Sequence, residues 1–188
     1  MDNNEIILGI DPGTNILGYC VIEYNGRKYN ILKIGSINMT KLETHLEKLN
    51  YIVDFISNIL NEYTPDILAI EEPFYGKNVQ SMLKLGRAQG AVMTIAMQHK
   101  IKIEEITPRR VKQAITGKGS ASKEQVAAMI SNITGYDISN LNTDATDAAA
   151  IAITHTLQKI KPISKSRSKK NSWKNFINEN PDKIYKAK

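Results

Sequence analysis

Residues 67–70 (Ile-Leu-Ala-Ile) sit inside the segment DILAIEE at 66–72, and an extended chain there is apolar on both faces. Such a strand is stable only inside a sheet that is covered on both sides, which points to helices packed on each face. The segment also ends in two acids, so any charge it delivers emerges at the strand's carboxyl end.

Other elements fit around that strand. Residues 5–11, EIILGID, form a short apolar run ending in Asp-Pro-Gly, a strand entering a turn. Residues 17–24 and 28–37 are rich in β-formers and meet across Asn25-Gly26, a hairpin signal because both residues tolerate positive φ. In the second of these, Tyr29, Ile31 and Lys33 oppose Asn30, Leu32 and Ile34, as in a half-exposed strand. A helix is predicted over roughly 41–63, with Leu42, Leu46, Leu49, Val53, Ile56, Leu60 and Tyr63 at spacings of three and four, widened towards the core by Ile52 and Ile59. Thr64-Pro65-Asp66 stops it. A helix over 79–99, a strand over 101–106 and helices over 108–115, 123–133 and 143–160 complete the series. The order, three strands, helix, strand, helix, strand, then helices, predicts an α/β fold: a mixed five-stranded sheet flanked by helices, the ribonuclease H-like arrangement.

Charge divides the chain. Of 25 basic and 19 acidic residues, nine and two lie in 161–188, leaving sixteen and seventeen in 1–160. Residues 161–188 are therefore read as a basic, mobile tail, in which Trp173, Phe176 and Ile177 could form a docking turn. Residues 1–160 are read as one ribonuclease H-like domain. It is not basic on average, so a DNA-binding face there must be a local patch beside an acidic one. No apolar run reaches the ~18–20 residues of a membrane span. The amino-terminal residues lack a signal-peptide pattern, so a cytoplasmic location is expected. A single cysteine, Cys20, is expected to be buried, and its being alone excludes a disulfide framework.

Four acids stand out. Asp11 ends the first strand and Glu71 lies near the end of the 66–72 strand; if these strands are parallel neighbours, both carboxylates emerge at one sheet edge, where ligand sites of open α/β sheets form. Strand alternation turns Glu72 to the other face. Asp144 and Asp147, three residues apart, share a face in the first turn of the last helix. Each motif has a plainer reading, since Asp-Pro-Gly is ordinary turn chemistry and acids suit a helix amino terminus. Converging carboxylates would raise one another's pKa unless a cation sat among them. Oxygen-only ligands select a hard divalent ion, and two ions can position a water and polarise a phosphodiester. The chemistry implied is phosphodiester hydrolysis.

LGIDPG (8–13) with Gly18-Tyr19, AIEEPF (69–74) with Lys77-Asn78, LKLGRAQG (83–90), TPRRVKQAITGKGSASKEQV (107–126) and DATDAAAIAITH (144–155) together resemble the RuvC family of crossover junction endodeoxyribonucleases over residues 5–158. The resemblance implies metal-binding, catalytic roles for Asp11, Glu71, Asp144 and Asp147, with two Mg2+ ions for which Mn2+ could substitute. It implies a base-stacking role for Phe74 and places Lys112 and Lys123 near the scissile phosphates. Lys77, Lys118, Arg87, Arg109 and Arg110 are further phosphate candidates by charge, and Gly117 and Gly119 flank Lys118 in a turn whose N–H groups could approach a phosphate or serve the turn itself. The family also implies four-way junction DNA as substrate, a homodimer, and RuvA and RuvB as partners. Gly86, Gly90 and Ala91 offer a face for close helix approach, whether between subunits or internally. His45 and His99 are placed in helices and His155 at the negative end of the last helix, without catalytic roles. The basic tail matches nothing in the family pattern. Three alternatives remain: a ribonuclease H-like nuclease with another nucleic-acid substrate, an actin-fold ATPase or kinase, and a non-catalytic junction binder.

Overall fold

A computed structural model describes residues 4–73, 78–138 and 140–160. Phe74, Lys77 and the tail, with its suggested docking turn, lie outside the described residues. The chain divides into two units, Met1–Leu157 and Gln158–Lys188, and the fold below is that of the first.

Five strands form one sheet: β1 (Glu5–Asp11), β2 (Ile16–Tyr24), β3 (Tyr29–Asn38), β4 (Ile67–Glu71) and β5 (Lys102–Ile106), in the order β3-β2-β1-β4-β5. The first three pair antiparallel through hairpins, while β4 and β5 add parallel to β1. The helices are α1 (His45–Tyr63), α2 (Val79–Gln98), α3 (Pro108–Thr116), α4 (Lys123–Thr134) and α5 (Thr143–Ile160). This is the mixed five-stranded α/β sheet expected.

The period of two in β1 sends successive side chains to different cores. Leu8 and Ile10 join Leu68 and Ile70 beneath α1 and α2, whereas Ile7 joins Ile67, Ala69 and the alanines of α5 on the other face. Full burial of β4 at Ile67–Ile70 follows from being covered on both sides.

Three features differ from the sequence expectation for physical reasons. The first helix starts at His45, because Thr44 accepts from the Glu47 N–H while the Glu47 carboxylate takes the Thr44 N–H, a closed capping box. Leu42 therefore packs from a turn, and Leu46 is 76% exposed, while Ile52, Ile56, Ile59 and Leu60 are buried in the core as expected. In β3, Ile22 pairs with Ile31 and Val21 with Lys33, leaving Leu32 as an unpaired bulge residue. The extra residue reverses the alternation, so Ile34 joins Ile31 on the α5 face rather than opposing it. His99 is the residue capping α2 rather than part of the helix.

Candidate active site

Asp11 and Glu71 share the parity of Ile7 and Gly9 in β1 and of Ile67 and Ala69 in β4. Gly9 lies beside Ala69 and Ile10 beside Ile70, so the parallel register brings the two acids side by side at the carboxyl edge, on the α5 face. They are hydrogen-bonded to each other. Glu72 lies exposed just beyond the strand, its N–H donating to the Ile106 carbonyl.

Two glycines bring α5 down onto this edge. A Cβ at Gly18 would stand 1.9 Å from the Asp144 carbonyl oxygen, and one at Gly9 would stand 2.2 Å from that of Ala148. Any side chain larger than hydrogen would push the helix off the sheet. Its small residues, Ala145, Ala148, Ala149 and Ala152, are buried in the seam. Asn142 caps the helix, its Oδ1 accepting from the Ala145 N–H at 3.1 Å. Asp144 and Asp147 thus face Asp11 across a very short distance of backbone. The sequence reading did not give Gly9 or Gly18 this role, although both stand in the quoted motifs.

Asp11 is pushed up from an ordinary 3.8 to about 8, first by burial, then by the Glu71 charge and its hydrogen bond, and further by Asp147 and Asp144. Burial also raises Glu71, while the bond from Asp11 and the charges of Lys123 and Lys112 oppose that rise. Asp11 is therefore the proton-bearing partner, donating to Glu71. At the rim, the Lys123 ammonium lies 2.6 Å from an Asp147 oxygen, and this contact raises the lysine's pKa.

These groups line a cleft of about 280 Å³ with Asp11, Glu71 and Asp147 on one part of its wall and Lys112 and Lys123 on another. Asp144 acts on Asp11 through its charge but is not in that lining. Among the described residues no three acidic, histidine or cysteine groups are already closed into a ligand shell. A shared proton and a lysine ammonium stand in this structure where negative charge must be compensated. The all-carboxylate donor set, with a proton held well above its normal range, fits a hard divalent cation.

Other sequence candidates fall elsewhere. Arg109 and Lys112 line an adjoining cavity with Pro73 and Thr107. Lys118 is exposed and lines neither cavity. The Gly117 N–H donates to the Gln113 carbonyl and the Lys118 N–H to the Thr116 hydroxyl, so both serve the turn that ends α3 rather than await a phosphate. Cys20 is buried as expected, and burial raises its pKa. His155 differs from expectation: it is fully packed against the sheet, its Nδ1 hydrogen-bonded to Glu104 and its Nε2 3.7 Å from Glu5. Two carboxylates from β5 and β1, rather than the helix dipole, set its surroundings.

Residues 7–155 match the family described as crossover junction endodeoxyribonuclease RuvC. A protein of that description from Cytophaga hutchinsonii is 48% identical over 181 residues, covering 96% of this chain and 88% of its own length. One from Porphyromonas gingivalis is 45% identical over 182 residues, covering 95% of this chain and 96% of its own. Since 181 aligned residues cannot fit within 1–160, these relatives extend well into the basic tail. The tail thus aligns with these two relatives, whereas the family model ends at residue 155. Among solved structures, Thermus thermophilus RuvC superposes with a TM-score of 0.76 at 31% identity over 84% of this chain and 96% of that one. The same protein in complex with Holliday junction substrate gives 0.78 at 31% identity, over 82% and 94% of the two chains. Matched by the family model over most of its length and 48% and 45% identical to two such relatives, this chain belongs to the RuvC family of crossover junction endodeoxyribonucleases.

Proposed function

We propose that this chain resolves four-way DNA junctions by hydrolysing phosphodiesters in two symmetry-related strands, with Asp11, Glu71, Asp144 and Asp147 as its catalytic acids. The observation that carries the assignment is the pairing of Asp11 with Glu71 at one sheet edge, with a proton retained where two ionised carboxylates would repel. These four acids would hold two Mg2+ ions, with Mn2+ able to substitute. Bound there, the ions would supply Lewis acidity and an activated water.

The chain's own groups set the geometry. Gly9 and Gly18 fix the height of α5 and hence of Asp144 and Asp147 over the strand ends. Lys112 and Lys123 present ammonium groups at the cleft where a phosphate would enter. Lys123, released from Asp147, can turn to a phosphate oxygen without leaving the rim. Phe74 is assigned to base stacking, and Lys77 and Lys118 to phosphate contacts further along the DNA.

A four-way junction offers two strands of like polarity, which a two-fold homodimer matches. We assign the dimer seam to the outer face of α2. Gly86 and Gly90 have open space over their Cα atoms, so they serve no internal packing. They continue a stripe with Val79, Leu83 and Met97, each more than half exposed. RuvA and RuvB are the partners that would deliver the junction. No helix among the described residues is long and apolar enough to cross a membrane, in keeping with a cytoplasmic site of action.

Cleavage of a synthetic four-way junction, compared with duplex DNA and an RNA–DNA hybrid, tests the assignment. Junction cutting that requires Mg2+ or Mn2+ is expected, with junction binding surviving in chelator. Equal cutting of the hybrid would favour a different nucleic-acid substrate, and full activity in chelator would refute the acidic mechanism.

A further inference from the structure

Lys123 is the first residue of α4, and that helix start is held firmly. The Ser122 hydroxyl accepts from the Gln125 N–H, the Gln125 side chain takes the Ser122 N–H, and Val126 and Ile130 are buried beneath. The lysine stem thus leaves a rigid base, while the side chain itself is 61% exposed and its head can turn. In the fold that head rests 2.6 Å from Oδ2 of Asp147. The charges of Asp11 and Asp144 act on it as well, and its own charge acts on Glu71. One tethered cation is within electrostatic reach of all four acids.

An ammonium in that position acts against a second cation. A divalent ion on either oxygen of Asp147 would stand beside it and be repelled. A DNA phosphate at the rim reverses the balance, because it offers the ammonium another anion within the same cleft that Lys123 and Asp147 line. Lysine suits such an exchange: it is a compact point charge on a flexible stem, without the fixed fork that would bind one carboxylate in one geometry. Lys112 provides the contrast. It lines the same cleft and acts on Glu71 by charge, but makes no ion pair among the described residues.

We propose that Lys123 is a tethered counter-cation, holding Asp147 against divalent ions until a DNA phosphate draws it away, so that substrate binding admits the metal. The proposal rests on the junction-cleaving function and the acidic metal site above. Coupling of this kind is reciprocal, so a phosphate that raises metal affinity is itself held more tightly once metal is bound. The free enzyme stays poorly loaded, and the cleft is charged where DNA lies against its rim.

The test uses the full-length protein and two binding measurements, with melting curves to show that each variant is folded. Mn2+ binding without DNA is read from the loss of the free-ion EPR signal. Lys123→Gln should bind Mn2+ about three- to fivefold more tightly than wild type, the scale of a partly exposed ion pair. Lys112→Gln removes an equal charge from the cleft but frees no carboxylate, and should tighten binding less than about twofold. Junction affinity is then measured in chelator. Asp147→Asn frees Lys123 for phosphate and should tighten junction binding about three- to fivefold more than Asp144→Asn, which removes the same charge from the same helical turn. With Lys123→Gln present, the two aspartate variants should have equal effects. The counter-cation role alone is overturned if Lys123→Gln binds Mn2+ no more tightly than Lys112→Gln, or if the advantage of Asp147→Asn is missing or outlasts Lys123→Gln. Failure of wild type and variants alike to bind Mn2+, or to bind the junction, would instead overturn the function on which it rests.

Discussion

Replacing Asp11 by asparagine should stabilise the metal-free protein while removing its turnover. The folded state holds the Asp11 proton to about pH 8, whereas the unfolded chain releases it near 3.8. Between those values the folded protein binds more protons than the unfolded one. Wild-type stability in chelator should therefore fall as pH rises through this window and level off above about 8. At about 1.4 kcal/mol per pH unit the cost at pH 7 has a ceiling of roughly 4 kcal/mol, against roughly 1–2 at pH 5. Asparagine has the shape of the protonated acid and never ionises, so it escapes this cost. Sharing of the proton with Glu71 lowers the gain to about 2–4 kcal/mol at pH 7, or roughly 5–15 °C in melting temperature for a chain of this size.

Thermal melts of both proteins in chelator at pH 5, 6, 7 and 8 measure the gap directly. It should widen with pH and then saturate. Added Mg2+ should raise the wild type far more than the variant, because a cation can take the proton's place only where an ionisable acid is present. Junction cleavage by Asp11→Asn should drop by several orders of magnitude. Wild-type stability that rises from pH 5 to 8 in chelator, or a variant no more stable at pH 7, would refute the reasoning.

Gly18→Ala places a methyl group 1.9 Å from the Asp144 carbonyl oxygen. It should cost about 1–3 kcal/mol of stability and slow single-turnover cleavage at least tenfold at a temperature where melts show the variant folded; an unchanged rate would show that α5 can ride higher without harm. Phe74→Ala should impair cleavage more than Phe74→Tyr, by roughly 1–3 kcal/mol of stacking, with melting temperature separating that outcome from a packing role. Ending the chain at Ile160 removes a net charge of +7; if three to five of those charges touch phosphate, the slope of log K against log salt should flatten by about 3–4 units, with junction selectivity retained.

Much of this architecture follows from short-range pattern. Four apolar residues before Glu71 require a doubly covered strand, and the Asp-Pro-Gly turn ends its neighbour at the same edge. What the pattern left hidden depends on tertiary partners. The bulge at Leu32 appears only in the register with β2, and it alone moves Ile34 to the α5 face. The capping box was local, in Thr44 and Glu47, but the apolar stripe reaching back to Leu42 masked it. Gly9 and Gly18 acquire their meaning from a helix more than a hundred residues away. Nor does periodicity in α5 reveal that His155 meets Glu104 and Glu5, since neither acid is near it in the chain.

Helix α5 explains how an acidic cluster can be tolerated in an otherwise ordinary sheet. Burial and mutual repulsion make the Asp11 end of the helix unfavourable without a proton or a cation. The rest of the helix compensates through close contact. Ala148, Ala149 and Ala152 let it lie against β1 without a gap, and every residue from Ala148 to Thr156 is buried. At the far end His155 is bonded to Glu104, and the Thr156 and Tyr29 hydroxyls are 2.6 Å apart. These contacts tie the helix to β5 and β3, the two edge strands, on either side of the central pair that carries Asp11 and Glu71. A helix anchored only at its acidic turn could relieve repulsion by sliding away from Asp11. Anchored two turns further on, it holds Asp144 and Asp147 in place, and the strain is relieved by binding positive charge instead.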